Sequence, residues 1–217
     1  MKKQVILGLE TCTTVCSVAL WNGERLFERV EQEASSQSKT ILPMVESVLA
    51  EAQLTLSQVD AVACTRGPGS FTGVRIGIGV AKGLAYGQDL PIYPVSPLQS
   101  LAYQVIVDMP SVSRVSILLD ARMGELYTAD YQNTSGKPVL LGQERLATLD
   151  DISIEGQIVA GTGAREYSDA LVERGARLSG IIYPLAGAVI RCAQLTDIEA
   201  VSAAQLTPVY LRNKVTG

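Results

Sequence analysis

The stretch that decides the fold runs from Arg66 to Gly87 and reads RGPGSFTGVRIGIGVAKGLAYG. The apolar run Val59 to Thr65 precedes it, so the local order is strand, glycine loop, helix. Gly67, Pro68, Gly69 and Ser70 make a tight turn that presents backbone N–H groups at a helix start, where Ser70 or Thr72 can cap. The helix is rich in glycine, with Gly73, Gly77, Gly79, Gly83 and Gly87 inside it or at its end. Each interior glycine costs about 1 kcal/mol relative to alanine, and close packing is the usual compensation. Gly79, Gly83 and Gly87 are spaced by four and form one bare stripe, and Gly73, Gly77 and Ala81 form another. Bare stripes let a second helix come close, while Arg75 and Lys82 oppose a membrane span. The helix therefore expects a neighbour, within the chain or on another chain.

Upstream of this stretch, Gln4 to Glu10 reads as a buried strand and Thr11 to Thr14 as a turn. Val15 to Trp21 and Arg25 to Val30 read as two more strands joined by a type I′ turn at Asn22-Gly23. Gln32 to Thr40 is polar and reads as a loop. Ile41 to Ala52 has helical spacing, with Ile41, Val45, Val48, Leu49 and Ala52 on one face and Pro43 expected in or near the first turn. Downstream, Leu90 to Val95 is a short strand, and Leu98 to Val107 a helix with Ser96 as cap and Pro97 at its first position. Residues 1–107 thus follow the order βββαβαβα, and Asp108 to Ser111 marks a boundary.

The second half, 108–217, opens with another meander: Arg114 to Leu119 ending at Asp120, then Glu125 to Gln132 and Pro138 to Glu144. Ile158 to Ala160 is a short strand, Gly161-Thr162-Gly163 a second glycine turn, and Tyr167 to Arg174 and Leu185 to Leu195 are helices. Pro208 to Arg212 is a tail strand or coil. The halves read as a diverged duplication, an α/β actin-like (Hsp70 and sugar-kinase type) fold of two related βββαβα subdomains.

Composition narrows the function classes. Of 217 residues, 47% are hydrophobic, enough for a sizeable core, and the net charge of −4 argues against tight autonomous binding to nucleic acid. Met1-Lys2-Lys3 leads into a short apolar strand, with no leader pattern, and a cytoplasmic location is expected. The chain has no histidine, which removes Ser-His-Asp and Cys-His chemistry and the commonest transition-metal ligand. Cys12 and Cys16 have no third or fourth ligand in range, so no metal is expected.

Two readings of the loop at 66–73 stay open. It lacks the GxxxxGK[ST] and GxGxxG patterns, yet a helix start can hold an anion, so it is a phosphate site or a structural turn. Glu10 and Asp120 each end the first strand of a meander, where acids of an actin-like ATPase hold magnesium-bound waters. The first hairpin, Glu10 to Thr14, contains no glycine. Glu10, Thr13, Asp120, Gly161 and Gly163 are therefore candidates for a vestigial nucleotide site, and no cofactor is expected.

Four segments together resemble the bacterial TsaB (YeaZ) family: RGPGSFTGVRIG (66–77), ILGLETCTTVCSVAL (6–20), ILPMV (41–45) and PVYLRN (208–213). The resemblance implies a non-catalytic relative of TsaD, the subunit that transfers threonylcarbamoyl to adenosine in tRNAs reading codons that begin with A. It further implies pairing with TsaD through N-terminal helices, recruitment of the ATPase TsaE, a homodimer when alone, and tRNA reached only through the complex. Relatives often carry a histidine where Gln37 stands. On this basis the partner face is expected at Met44, Val45, Val48, Arg75, Gly79, Lys82, Gly83 and Tyr86. The alternatives are an ATP-binding enzyme that uses Glu10 and Asp120, and a peptidase, which would have to work without histidine.

Overall fold

The computed structural model describes residues 4–32 and 37–212. The chain forms two compact units, Met1–Pro97 with Leu185–Val209, and Leu98–Pro184 with Tyr210–Gly217. The sequence division at 107/108 keeps the chain in two consecutive halves. By packing, the helix after Pro97 belongs to the second unit and 185–209 returns to the first.

In the first unit, β1 (Ile6–Glu10), β2 (Cys16–Trp21), β3 (Leu26–Glu31), α1 (Gln37–Glu51), β4 (Ala61–Thr65), α2 (Phe71–Gln88) and β5 (Ile92–Val95) follow in order. The sheet order is β3-β2-β1-β4-β5. β1 runs antiparallel to β2 and parallel to β4, so it is central and buried along its whole length, as its unbroken apolar run requires. Leu7 and Leu9 join a core with Ile41, Val45 and Val48 of α1 and Val74 and Ile78 of α2.

The second unit holds α3 (Pro97–Asp108), β6 (Arg114–Asp120), β7 (Glu125–Thr134), β8 (Lys137–Thr148), β9 (Ile158–Ala160), α4 (Thr162–Glu166), α5 (Ser168–Glu173) and β10 (Arg177–Leu178). Its sheet order is β10-β9-β6-β7-β8. Read from β8, this is the order of the first sheet with the same antiparallel and parallel pairings. The duplication seen in the sequence is therefore a duplication of sheet topology, the actin-like plan. Leu98, Leu101, Val105, Ile117 and Tyr131 fill one core, and Leu118, Leu126, Val159 and Leu171 another. The chain then re-enters the first unit as α6 (Ala186–Leu195), which lies against β1 where Gly8 leaves room.

Local structure departs from expectation in four places. α1 begins at Gln37, four residues earlier than its apolar spacing suggests, because the Gln37 amide donates to Thr13 O and Val15 O. Pro43 is therefore well inside the helix, and it is exposed, so the carbonyl it leaves without a donor can be hydrated. Residues 33–36 of the expected loop lie outside the described residues. The β2–β3 turn is not type I′: Gly23 has positive φ (94°), but Asn22 instead bends the chain by accepting from Glu24 N and Arg25 N. α4 was not legible, since its five residues begin at the glycine turn.

Candidate functional site

The loop between β4 and α2 is tied down by the chain's own atoms. Arg66 N donates to Val95 O, Val209 N to Arg66 O, and Ser70 N to Cys12 O at 2.7 Å. Ser70 caps α2 by accepting from Gly73 N at 3.3 Å. A Cβ on Gly69 would stand 2.3 Å from Cys12 O, so the β1–β2 hairpin packs directly against the loop. The geometry is that of a structural turn.

The two glycine stripes of α2 have different surroundings. A Cβ on Gly73 would lie 2.0 Å from Thr11 O, and one on Gly77 would lie 2.4 Å from Thr11 Oγ1. That stripe is the seat of the hairpin, fastened by Thr11 Oγ1 donating to Gly73 O at 2.8 Å. At Gly79, Gly83 and Gly87 an added Cβ meets nothing within 4 Å. Arg75, Gly79, Lys82, Gly83 and Tyr86 share this outer face by helical spacing. Tyr86 is 85% exposed and Phe71, at the first turn, 51% exposed with the Arg75 guanidinium 3.4 Å over its ring. Met44, Val45 and Val48, expected on the same face, instead belong to the core, at 8%, 3% and 0% exposure. Their apolar spacing is used up by the unit's own sheet.

The candidate nucleotide residues fall in both units. In the first, Glu10 is fully buried, its Oε1 accepts from Cys12 N at 2.5 Å, and its Oε2 has no partner. Burial pushes its carboxyl up to about 8, against the pull of the Cys12 amide and the Thr65 hydroxyl. Thr13 Oγ1 accepts from Val15 N. In the second unit, Asp120 and the glycine turn are brought together: Asp120 N donates to Thr162 Oγ1 at 2.9 Å. The Asp120 carboxylate accepts from Arg122 N and pairs with the Arg122 guanidinium at 3.4 Å. A Cβ on Gly161 would come within 2.3 Å of Leu118 O, and one on Gly163 within 2.4 Å of Leu126 Cδ2. Both glycines are thus required by the packing of α4 on β6 and β7.

Two contributors escaped sequence reasoning. Gln37 anchors α1 to the hairpin, as described. Arg212 holds the β6–β7 turn, where Arg122, Met123 and Gly124 all have positive φ. Its Nη2 donates to Ala121 O and Arg122 O and pairs with Glu125 Oε2. The spacing of a motif cannot reveal either bond, because each joins segments far apart in the chain.

A cavity of about 360 Å³ opens in the second unit at the β7–β8 bulge, among Arg114, Thr128, Asp130, Gln143, Arg145 and Asp151. Arg114 pairs with the Asp130 carboxylate at 2.7 Å, Arg145 donates to the backbone Asp151 O at 3.3 Å, and the Asp151 carboxylate accepts from Thr148 N and Oγ1. Among the described residues, no group of three or more His, Cys, Asp or Glu side chains is placed to hold a metal ion, and no helix is long and apolar enough to cross a membrane.

Comparison with known proteins gives a consistent set of relatives. The family model of TsaD, tRNA N6-adenosine threonylcarbamoyltransferase, matches residues 31–169. The tRNA threonylcarbamoyladenosine biosynthesis protein TsaB of Haemophilus influenzae is 35% identical, over 100% of this chain and 97% of that protein. Its namesake in Escherichia coli K12 is 37% identical, over 97% of this chain and 95% of that protein. The solved structure of YeaZ from Pseudomonas aeruginosa superposes with a TM-score of 0.87 at 36% identity, covering 96% of this chain and all (100%) of that one. A second solved structure, of an uncharacterized protein with similarity to peptidase YeaZ from Pseudomonas aeruginosa, gives 0.89 at 36% identity over the same shares, 96% and 100%.

Proposed function

The chain belongs to the TsaB family of tRNA threonylcarbamoyladenosine biosynthesis proteins, and from that premise we propose that it is the non-catalytic subunit that docks on TsaD and activates it. TsaE completes the complex, which forms threonylcarbamoyladenosine beside the anticodon of tRNAs reading codons that begin with A. The tRNA is reached only through the complex, in the cytoplasm, and the free chain forms a homodimer through the same face.

One observation carries this reading: α2 uses one glycine stripe for its own hairpin and leaves the other, Gly79-Gly83-Gly87, without a neighbour among the described residues. An open stripe flanked by Arg75, Lys82 and Tyr86 lets a partner helix reach the backbone closely. The enclosure of Glu10 supports the non-catalytic part, because a carboxyl without solvent contact cannot orient magnesium-bound water.

Gly83→Arg and Gly79→Glu test the docking. An added Cβ at either position meets nothing within 4 Å among the described residues, so both variants are expected to fold. Loss of co-purification with TsaD and of the tRNA modification is expected. If both survive, the face lies elsewhere. Titration of the free chain with Mg-ATP tests the rest, since saturable binding at millimolar nucleotide would favour an ATP-using enzyme.

A further inference from the structure

Glu10 has a role that nucleotide chemistry does not supply. It closes β1 directly before the hairpin at 11–15, and two helices of the first unit, α1 and α2, are fastened to that hairpin. Gln37 of α1 donates to Thr13 O at 2.8 Å and to Val15 O at 3.1 Å. α2 receives Thr11 Oγ1 at Gly73 O. The hairpin itself is pinned from below by the Glu10 carboxyl, through Cys12 N.

Among the described residues, the surroundings of that carboxyl contain no counter-charge. From the hairpin, β2 and β4 it faces the thiols of Cys12, Cys16 and Cys64, and beside it lies the Thr65 hydroxyl. β1 also packs against α6, whose single charged side chain, Arg191, lies over the Trp21 ring at 4.3 Å. On α2, Arg75 lies over Phe71, and neither it nor Lys82 acts on the carboxyl. One oxygen, Oε2, is buried with no hydrogen-bond partner. An ionised carboxylate in such a place would exchange its hydration for the Cys12 amide and the Thr65 hydroxyl alone, whereas a neutral acid forfeits far less.

We propose that Glu10 stands in the folded protein as a neutral carboxylic acid, its proton on Oε2, and that the hairpin seating α1 and α2 is therefore a proton-held latch. The direction of its pH dependence follows from linkage. The folded carboxyl is raised from 4.5 to about 8, chiefly by burial. A group held protonated by the fold contributes its full stabilisation below the unfolded value and loses it as pH rises through the folded one. Between those limits the Glu10 contribution to the folding equilibrium constant falls about tenfold per pH unit.

Two measurements test this. In the wild-type chain with ¹³C-labelled glutamate, the Glu10 carboxyl resonance is followed from pH 5 to 9.5. A neutral acid at pH 6, titrating near 8, is expected, and an ionised carboxylate at pH 6 overturns the proposal. Urea unfolding of wild type and Glu10→Gln is then compared over the same range. The ratio of their folding constants falls as pH rises if Glu10 holds the proton, and a ratio independent of pH overturns it. If Glu10→Gln does not fold, the resonance of the wild type decides alone.

Discussion

Gly77→Ala and Gly79→Ala are the same substitution two residues apart in α2, and they shift stability in opposite directions. At Gly79 the new methyl meets nothing within 4 Å. Only the helix term remains, a gain of about 1 kcal/mol, or about 2–4 °C in Tm for a chain of this size. At Gly77 the methyl would stand 2.4 Å from Thr11 Oγ1, so the hydroxyl must leave and its 2.8 Å bond to Gly73 O breaks. Such overpacking costs about 1–3 kcal/mol. The cause can be isolated by removing the hydroxyl. In a Thr11→Ala background the next atoms, Thr11 Cβ and Cys64 Sγ, are 3.7 and 3.8 Å away, ordinary contact distances. Gly77→Ala then becomes neutral or favourable, a coupling of about 1–4 kcal/mol. Gly73→Ala is the control, because its methyl would stand 2.0 Å from Thr11 O, a backbone atom that Thr11→Ala leaves in place. It costs about 3 kcal/mol or more in both backgrounds. Urea unfolding of the set, monitored by circular dichroism at constant m-value, reads all of these. An equal cost of Gly77→Ala in the two backgrounds, or a loss at Gly79 matching that at Gly77, would refute the assignment of inner and outer stripes.

Four further outcomes are expected. Ser70→Ala removes the cap on Gly73 N and costs about 1 kcal/mol in urea unfolding, while Ser70→Gly costs a few tenths. Arg212→Ala releases the β6–β7 turn: a loss of about 2 kcal/mol and faster hydrogen exchange at residues 122–124 are expected, and unchanged exchange would contradict the clamp. Gly161→Ala, at φ 110° and facing Leu118 O, costs about 3 kcal/mol or more without involving any ligand, as thermal unfolding of the free chain would report. All four cysteines are buried and burial holds the Cys16 thiol up at about 11. A thiol reagent at pH 8 therefore modifies the chain only as fast as it unfolds, and prompt labelling of the native state would count against this burial.

Sheet topology was legible because two meanders, each ending its first strand in an acid, are separated by enough chain to build a parallel extension. What sequence could not resolve was which neighbour each apolar or bare face meets. Met44, Val45 and Val48 have the spacing of a face, but spacing is silent on whether that face meets β2 and β3 or another molecule. The glycines of α2 present the same problem in reverse. Gly73 and Gly79 are indistinguishable by type and periodicity, and what separates them is Thr11, a residue far upstream. The state of Glu10 was hidden for a similar reason, since its proton is set by burial beneath elements that come later in the chain. Pro43 and Asn22 mislead at short range, because hydrogen bonds donated by the Gln37 side chain and accepted by the Asn22 side chain outweigh the usual rules for helix starts and hairpin turns.

The inner and outer stripes of α2 are about 200° apart around the helix axis, measured from Gly77 to Gly79. Along that diameter the helix has no side chains at all, only its backbone cylinder, roughly 5 Å across. Elsewhere a helix cushions what touches it, because side chains on both sides can change rotamer. Here a body resting on Gly79 and Gly83 would be separated from Thr11 by peptide units alone. Whatever docks on that outer surface would therefore lie one backbone diameter from the hairpin at 11–15.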